Sequence, residues 1–195
     1  MPKILKVFIC FAFCFSIAAN VSAQSVKVLP SPDKLDGKSL MQALASRKSD
    51  RNISDKALSN QELSNLLWAT WGVNRFDGKR TAPTARDSRK VEVYVVLADG
   101  VWLYNAVNNQ LEQVLKTDER QKYSSAGATL LFAADASDDF AKMHVGSLYQ
   151  NAGLYCASAG LANVVKGTGK DALKNVLTLP IGYEVMIIQS VGYAK

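Results

Sequence analysis

Apolar residues recur at helical spacing in three stretches of the chain. In the first, Leu40, Met41 and Leu44 fall on one face, as expected of an amphipathic helix. The second opens with a capping box, in which Ser59 precedes Glu62 by three residues. The third is rich in Ala, Gly and Ser, which let a neighbouring helix or a flat ligand approach closely. The three predicted helices cover residues 39–46, 59–71 and 138–161.

Between and after these helices the pattern changes to β-branched and buried runs, which predict strands. These predicted strands cover residues 91–97, 101–105, 128–134 and 185–191. A tight turn at Asp99-Gly100 makes the first two strands a hairpin. Residues 110–115 return as a short strand or form a polar connection, 164–170 are a loop, and 171–176 are a short helix. Hairpins mixed with helices predict an α+β fold, with helices packed around a mostly antiparallel central sheet.

The start of the chain reads as an export signal rather than as part of this fold. Two lysines precede an apolar run over residues 7–19, and small residues at 21–23 suit a signal peptidase. We therefore predict a signal peptide over residues 1–23, a linker over 24–38 and one domain over 39–195. The protein is then exported, periplasmic or extracellular, without a stable membrane anchor. The alternative is an uncleaved N-terminal anchor, although the apolar run is short for a membrane span.

Composition narrows the kinds of chemistry that the domain can carry. The net charge of +6 falls to +4 once the two signal lysines leave, and the basic residues are scattered, so nucleic acid is not an expected partner. His144 is the only histidine, which argues against a multi-His metal site and against a hydrolase triad. We interpret it as a satisfied or exposed side chain. Cys156 is the one cysteine outside the signal and is expected to be buried. An enzyme of this composition needs a cofactor for its chemistry.

A short basic run follows the first predicted helix: Arg47, Lys48, Ser49, Asp50 and Arg51. Three cations and a hydroxyl within five residues can hold a phosphate, because arginine binds two phosphate oxygens at once. The other interpretation is a solvated basic helix end, where cations also suit the negative end of the helix dipole. Spacing alone leaves both interpretations open.

Three motifs in order resemble the nitroreductase family of flavoproteins, and in particular its SagB-type (thiazole/oxazole dehydrogenase-like) branch. The basic run resembles the family's N-terminal Arg-Arg/His-Ser-x-Arg/Lys motif. Pro83-Thr84-Ala85, followed by the strand over 91–96, resembles the branch pattern Pro-Ser-Ala-Gly before Leu-Glu-Val-Tyr-Val-Val. The end of the chain resembles an Ala-rich helix closing in Gly-Leu, then Leu-Pro-x-Gly-Tyr-Glu, a strand and Gly-Tyr. These last motifs lie at residues 151–161, 179–185 and 191–193.

The resemblance implies an FMN-dependent oxidoreductase that forms a homodimer with flavin at the subunit interface. Electrons would come from a nicotinamide such as NAD(P)H or from the substrate itself. They would pass to a small acceptor such as a nitro compound or quinone, or a small or peptide substrate would be dehydrogenated. By position, the phosphate and ribityl ligands are Arg47, Lys48, Ser49 and Arg51. Thr84 and Ala85 line the flavin, and the Lys166-Gly167 loop places a backbone N–H near flavin N5.

The chain departs from the family pattern in the loop before the first strand. Arg86 stands where the branch has glycine, and Lys90 stands where it has proline. Ser88 and Arg89 stand where the branch has apolar or aromatic residues. Arginine beside the flavin could crowd the ring or attract an anionic substrate. These departures motivate an alternative function, a flavin-less exported binding module derived from the same family. Near the chain end, Lys195 is a candidate for an additional phosphate ligand.

Overall fold

A computed structural model describes residues 25–123 and 125–195 of the chain. The predicted signal peptide, with Cys10 and Cys14, lies outside these residues. Within the described part, none of the helices combines the length and apolar character needed to span a membrane.

Seven strands form a single antiparallel sheet in the described part of the chain. The strands are β1 (Val26–Val28), β2 (Val91–Leu97), β3 (Gly100–Asn105), β4 (Gln110–Leu115), β5 (Ala128–Asp135), β6 (Ala162–Lys166) and β7 (Tyr183–Gly192). The sheet order is β1-β4-β3-β2-β5-β7-β6, so the long strands β5 and β7 lie side by side and β6 forms the edge beyond β7. The predicted α+β class with a mostly antiparallel sheet is therefore confirmed.

The α-helices of the described part are α1 (Leu40–Ser46), α2 (Asn60–Trp71) and α3 (Ala141–Ala159). Helices α2 and α3 pack on one face of the sheet, and α1 packs against α3. Both α1 and α2 begin with complete capping boxes, and in α2 the side chains of Ser59 and Glu62 each bond the other's backbone N–H. Helix α3 ends at Gly160, whose left-handed φ of 73° suits the close of a helix. The predicted bounds of α1 and α2 agree with the structure to within one residue, whereas α3 begins at Ala141 instead of at residue 138.

The two faces of the sheet carry two separate hydrophobic cores. Inward-facing residues of β2 and β5, including Val93 and Phe132, pack with Leu66 of α2 and Leu148 of α3. On the opposite face, Tyr94, Leu131 and their neighbours are covered by the irregular segment 167–182. The segment supplies Leu173 and Leu177 to this core. Alternation along β2 and β5 is what directs neighbouring residues to different cores.

Helix α1 does not bury the apolar face that its sequence predicts. Only Ala43 is buried, while Leu40, Met41 and Leu44 are 64%, 73% and 46% exposed. Scattered exposed leucines are normal, but three on one helix form a patch that this chain leaves uncovered.

The structure corrects three local predictions. Residues 164–166 were expected in a loop but belong to strand β6, which pairs antiparallel with β7 at the sheet edge. Residues 171–176 were expected to be a short helix but form turns. The segment expected as a linker contributes strand β1, which pairs with β4 at the other edge. Both missed strands are short edge strands, for which hydrophobic patterning is weak.

Candidate functional site

The basic run lies where the chain leaves α1. Arg47 is the C-cap of that helix, and its N–H donates to the Ala43 carbonyl at 2.9 Å. The chain then runs extended toward β6, where the Asp50 N–H donates to the Asn163 carbonyl at 2.8 Å. This bond ties the run to the sheet edge while its cationic side chains stay exposed.

The charges of the run are available to an anion. Among the described residues, Arg47 and Arg51 have no carboxylate within 4.0 Å, and Lys48 has only Asp50 at 4.0 Å. An exposed pair at that distance is weak, because solvent screens it. The chain end adds a fourth cation, since the Lys195 N–H donates to the carbonyl of Asn52 at 3.0 Å. This part of the molecule therefore offers several unpaired donors for a phosphate.

A cleft of about 300 Å³ lies beside the run. Its walls come from the C-terminal half of α3, the start of β6 and the end of α1. The residues that line it include Ser46, Lys48, Asp50, Cys156, Gly160 and Asn163.

The second predicted set, Thr84 and Ala85, lies elsewhere. The Ala85 N–H donates to Nε2 of His144 at 2.8 Å, which places this loop at the N-terminal end of α3. Cys156, which borders the cleft of the basic run, is twelve residues further along the same helix. At 1.5 Å per residue the two sets are separated by about 18 Å along the helix axis. One chain therefore does not bring the predicted phosphate ligands and the predicted ring-lining loop together.

The structure shows where Arg86 and Lys90, two of the departures from the family pattern, lie within the chain. Arg86 has φ 55° and ψ 24°, the left-handed conformation that glycine favours, so the turn persists with arginine in its place. The Arg86 side chain is exposed. Lys90 pairs with Asp135 at 2.9 Å, and the hydrogen bond to that carboxylate raises the Lys90 pKa. Neither residue fills space inside its own chain.

Lys166 and Gly167 lie at the end of β6. The Lys166 ammonium donates to the Tyr123 carbonyl at 3.0 Å, and burial lowers its pKa. Gly167 is exposed, its φ is outside the left-handed range, and a Cβ built there would meet no atom within 4 Å. Nothing in the described chain requires glycine at this position. Its lack of a side chain fits a backbone that another molecule approaches closely.

The remaining candidate groups do not form a catalytic centre of their own. Cys156 is fully buried, as predicted, and burial raises the pKa of its thiol, which keeps it protonated and unreactive. The residues that the structure describes include no cluster of three or more His, Cys, Asp or Glu able to hold a metal ion.

Sequence reasoning missed one feature beside Thr84. A second cleft of about 300 Å³ is lined by Arg75, Lys79, Arg80 and Thr84. The Arg80 guanidinium lies 5.3 Å from the ring centre of Trp71, and burial lowers its pKa. The closely spaced cations were visible in the sequence, but their loop was interpreted only as polar.

The sequence model of the nitroreductase family matches residues 44–193, which include the basic run, the Thr84–Ala85 loop and strands β2 to β7. The chain belongs to the nitroreductase family. This confirms the predicted family and the predicted oxidoreductase class.

Individual relatives of the nitroreductase family agree with this assignment. A solved structure from Ralstonia eutropha JMP134, named as a candidate nitroreductase, is 34% identical with a TM-score of 0.79, covering 87% of this chain and 90% of that one. A protein of Methanocaldococcus jannaschii, also named as a candidate nitroreductase, is 26% identical over 158 residues, which are 68% of this chain and 80% of that protein. A nitroreductase of Bacteroides fragilis NCTC 9343, solved with bound FMN, has a TM-score of 0.58 at 14% identity, covering 81% of this chain and 89% of that one. The last likeness concerns the fold alone.

Proposed function

We propose that this chain is an exported FMN-dependent oxidoreductase of the SagB-type branch. It acts on a small electron acceptor such as a nitro compound or quinone, or it dehydrogenates a small or peptide substrate. The observation that carries the proposal is the exposed basic run beside a cleft, in a member of the nitroreductase family. The branch and the export rest on the sequence motifs.

The residues at the basic run fit the phosphate end of FMN. Arg47, Lys48 and Arg51 supply charge, and Ser49 supplies a neutral donor from the same exposed segment. Lys195 lies at the neighbouring chain end and adds a further cation. A charge-assisted hydrogen bond to phosphate contributes about 1.5–3 kcal/mol, so a few such contacts account for tight binding.

The separation of the two predicted sets supports a site shared between two copies of the chain. Because Thr84 and Ala85 lie about 18 Å along α3 from the cleft of the basic run, they would line a flavin held by the basic run of a second copy. The uncovered Leu40, Met41 and Leu44 supply an apolar surface for such a homodimer. A dimer would complete two equivalent sites related by two-fold symmetry.

When bound, FMN supplies the two-electron chemistry that the side chains of this protein lack. The residues of the chain bind and orient it. Arg47 and its neighbours would hold the phosphate, and the Thr84–Ala85 loop would cover the ring. The open position at Gly167 would let the backbone at the end of β6 come close to the ring, where an N–H can stabilise the negative charge of the reduced form.

Arg86 bears on the alternative function, a flavin-less binding module. That alternative was motivated by arginine in place of glycine, yet the backbone keeps the glycine-like turn and the side chain points to solvent. FMN binding is therefore favoured, and an exposed cation at the edge of the site favours anionic substrates.

The test is the visible absorption spectrum of the purified chain after incubation with FMN and removal of free ligand. We expect bound flavin bands, and NAD(P)H oxidation that depends on a quinone or nitro compound. Arg47→Ala should weaken FMN binding about 10- to 150-fold, the equivalent of one lost charge-assisted bond. Lys116→Ala, which removes an exposed cation after β4, is the matched control and should bind normally. A folded chain that stays colourless would refute the proposal and support the binding module.

A further inference from the structure

His144 has a defined chemical state in this fold. It lies in the first turn of α3 and is 4% exposed. Its Nε2 accepts the Ala85 N–H at 2.8 Å, and a ring nitrogen that accepts a hydrogen bond carries no proton. The imidazole is therefore neutral, with its proton on Nδ1.

The other ring nitrogen faces the start of the same helix. Nδ1 is buried and has no hydrogen-bond partner among the described residues, and the Asp138 carboxylate lies 3.7 Å away. That carboxylate also accepts from the Phe140 N–H at 2.9 Å and from the Ser88 hydroxyl at 3.4 Å. The loop is thus attached to the start of α3 at two points, at Ala85 through His144 and at Ser88 through Asp138.

The attached loop has a backbone that its sequence does not favour. Arg86, Asp87 and Arg89 have φ angles of 55°, 51° and 49°, in the left-handed region that costs residues with a Cβ about 1 kcal/mol each. The Arg89 guanidinium pairs with both oxygens of Asp87 at 2.8 and 2.6 Å, which offsets part of this cost. Such a conformation persists only where the surroundings hold it.

We propose that His144 is a positioning residue. Its neutral imidazole fixes the Ala85 N–H and so holds the loop over residues 84–89, including its left-handed residues Arg86, Asp87 and Arg89. The effect of this loop on flavin binding rests on the proposed function, in which the loop covers the ring. The attachment of the loop to α3 does not depend on that function.

The contact depends on an acceptor at position 144. A side chain without an acceptor would leave the Ala85 N–H without this partner, and the loop would keep its attachment from Ser88 to Asp138.

Hydrogen–deuterium exchange of the peptide over residues 84–90, measured without flavin, tests this assignment. The native chain and its variants are compared at one pH near neutrality. His144→Leu removes the acceptor, so protection should fall about tenfold, as expected for one lost hydrogen bond. His144→Gln keeps an acceptor and should restore protection.

Each outcome has a defined meaning. Thermal unfolding identifies a variant that fails to fold. Native protection of the loop in a folded His144→Leu variant would overturn the proposal. If His144→Leu does not fold, the folded His144→Gln variant decides, because loss of protection with an acceptor in place would also overturn the proposal. An FMN titration of the folded His144→Leu variant separates the two claims. A lost loop with unchanged FMN affinity would keep His144 as a positioning residue but remove the loop from the flavin site.

Discussion

Replacing Gly167 by alanine should separate flavin binding from folding. Within the chain, a Cβ at this position meets no atom within 4 Å, and the φ angle does not require glycine. Alanine reduces the freedom of the unfolded chain, which stabilises a compatible position by about 0.4–1 kcal/mol. For a domain of this size the melting temperature should rise by about 1–4 °C.

The same methyl group should oppose FMN. If the backbone at Gly167 contacts the ring, the added carbon must displace it, and overpacking of this kind costs about 1–3 kcal/mol. FMN affinity should therefore fall about 5- to 150-fold. The assays are thermal unfolding without FMN and calorimetric titration with FMN, on the same preparation of Gly167→Ala.

The matched control is Gly146→Ala in the second turn of α3. A Cβ there lies 3.9 Å from the Tyr149 hydroxyl, an ordinary contact, so helix propensity should raise stability by about 0.5–1 kcal/mol. FMN affinity should not change. If Gly167→Ala binds FMN as tightly as the native chain, the backbone at the end of β6 is not at the flavin and the assignment of this residue is wrong.

Three further predictions concern other parts of the molecule. Leu44→Glu places a charge on the uncovered face of α1, so light scattering should show monomers in place of dimers with the fold retained. Because burial raises the pKa of the Cys156 thiol, iodoacetamide should label it at pH 8 only after denaturation. Burial alone would raise the pKa of Glu62, but hydrogen bonds from Ser59 and Tyr193 bring it below its usual value. The ionised Glu62 therefore stabilises the fold above the unfolded pKa, and this stabilisation is lost on acidification. In urea unfolding, Glu62→Gln should lower the free energy of unfolding by about 1 kcal/mol at pH 7 and by progressively less toward pH 3.

Local sequence signals were sufficient to predict the helix ends that carry a capping residue. Helix α2 starts at the Ser59 capping box, and α3 closes at Gly160, because these residues satisfy backbone groups that any helix end exposes. Strand β6 was missed because Gly167 and Gly169 suggested a loop. Its β-branched Val164 and Val165 were the signal that favoured a strand.

The arrangement of the site depends on contacts that periodicity does not encode. The apolar face of α1 was visible in the sequence, but whether its own chain covers Leu40 and Met41 is decided by the position of α3 and the sheet. Likewise, motif order placed Thr84 and Arg47 in one family pattern. Only the attachment of the loop at His144 reveals that the two lie toward opposite ends of one helix.

The most direct test of a flavin site shared between two copies is to mix two defective variants. Arg47→Ala removes a phosphate ligand, and Ala85→Glu places a carboxylate on the loop proposed to cover the ring, so each homodimer should bind FMN poorly. After the subunits exchange, a heterodimer should contain one intact site and one site with both defects. We predict that the mixed dimer recovers high-affinity binding of one FMN. If purified mixed dimers bind FMN no more tightly than either parent, the two sets of residues do not act together on one flavin across the interface.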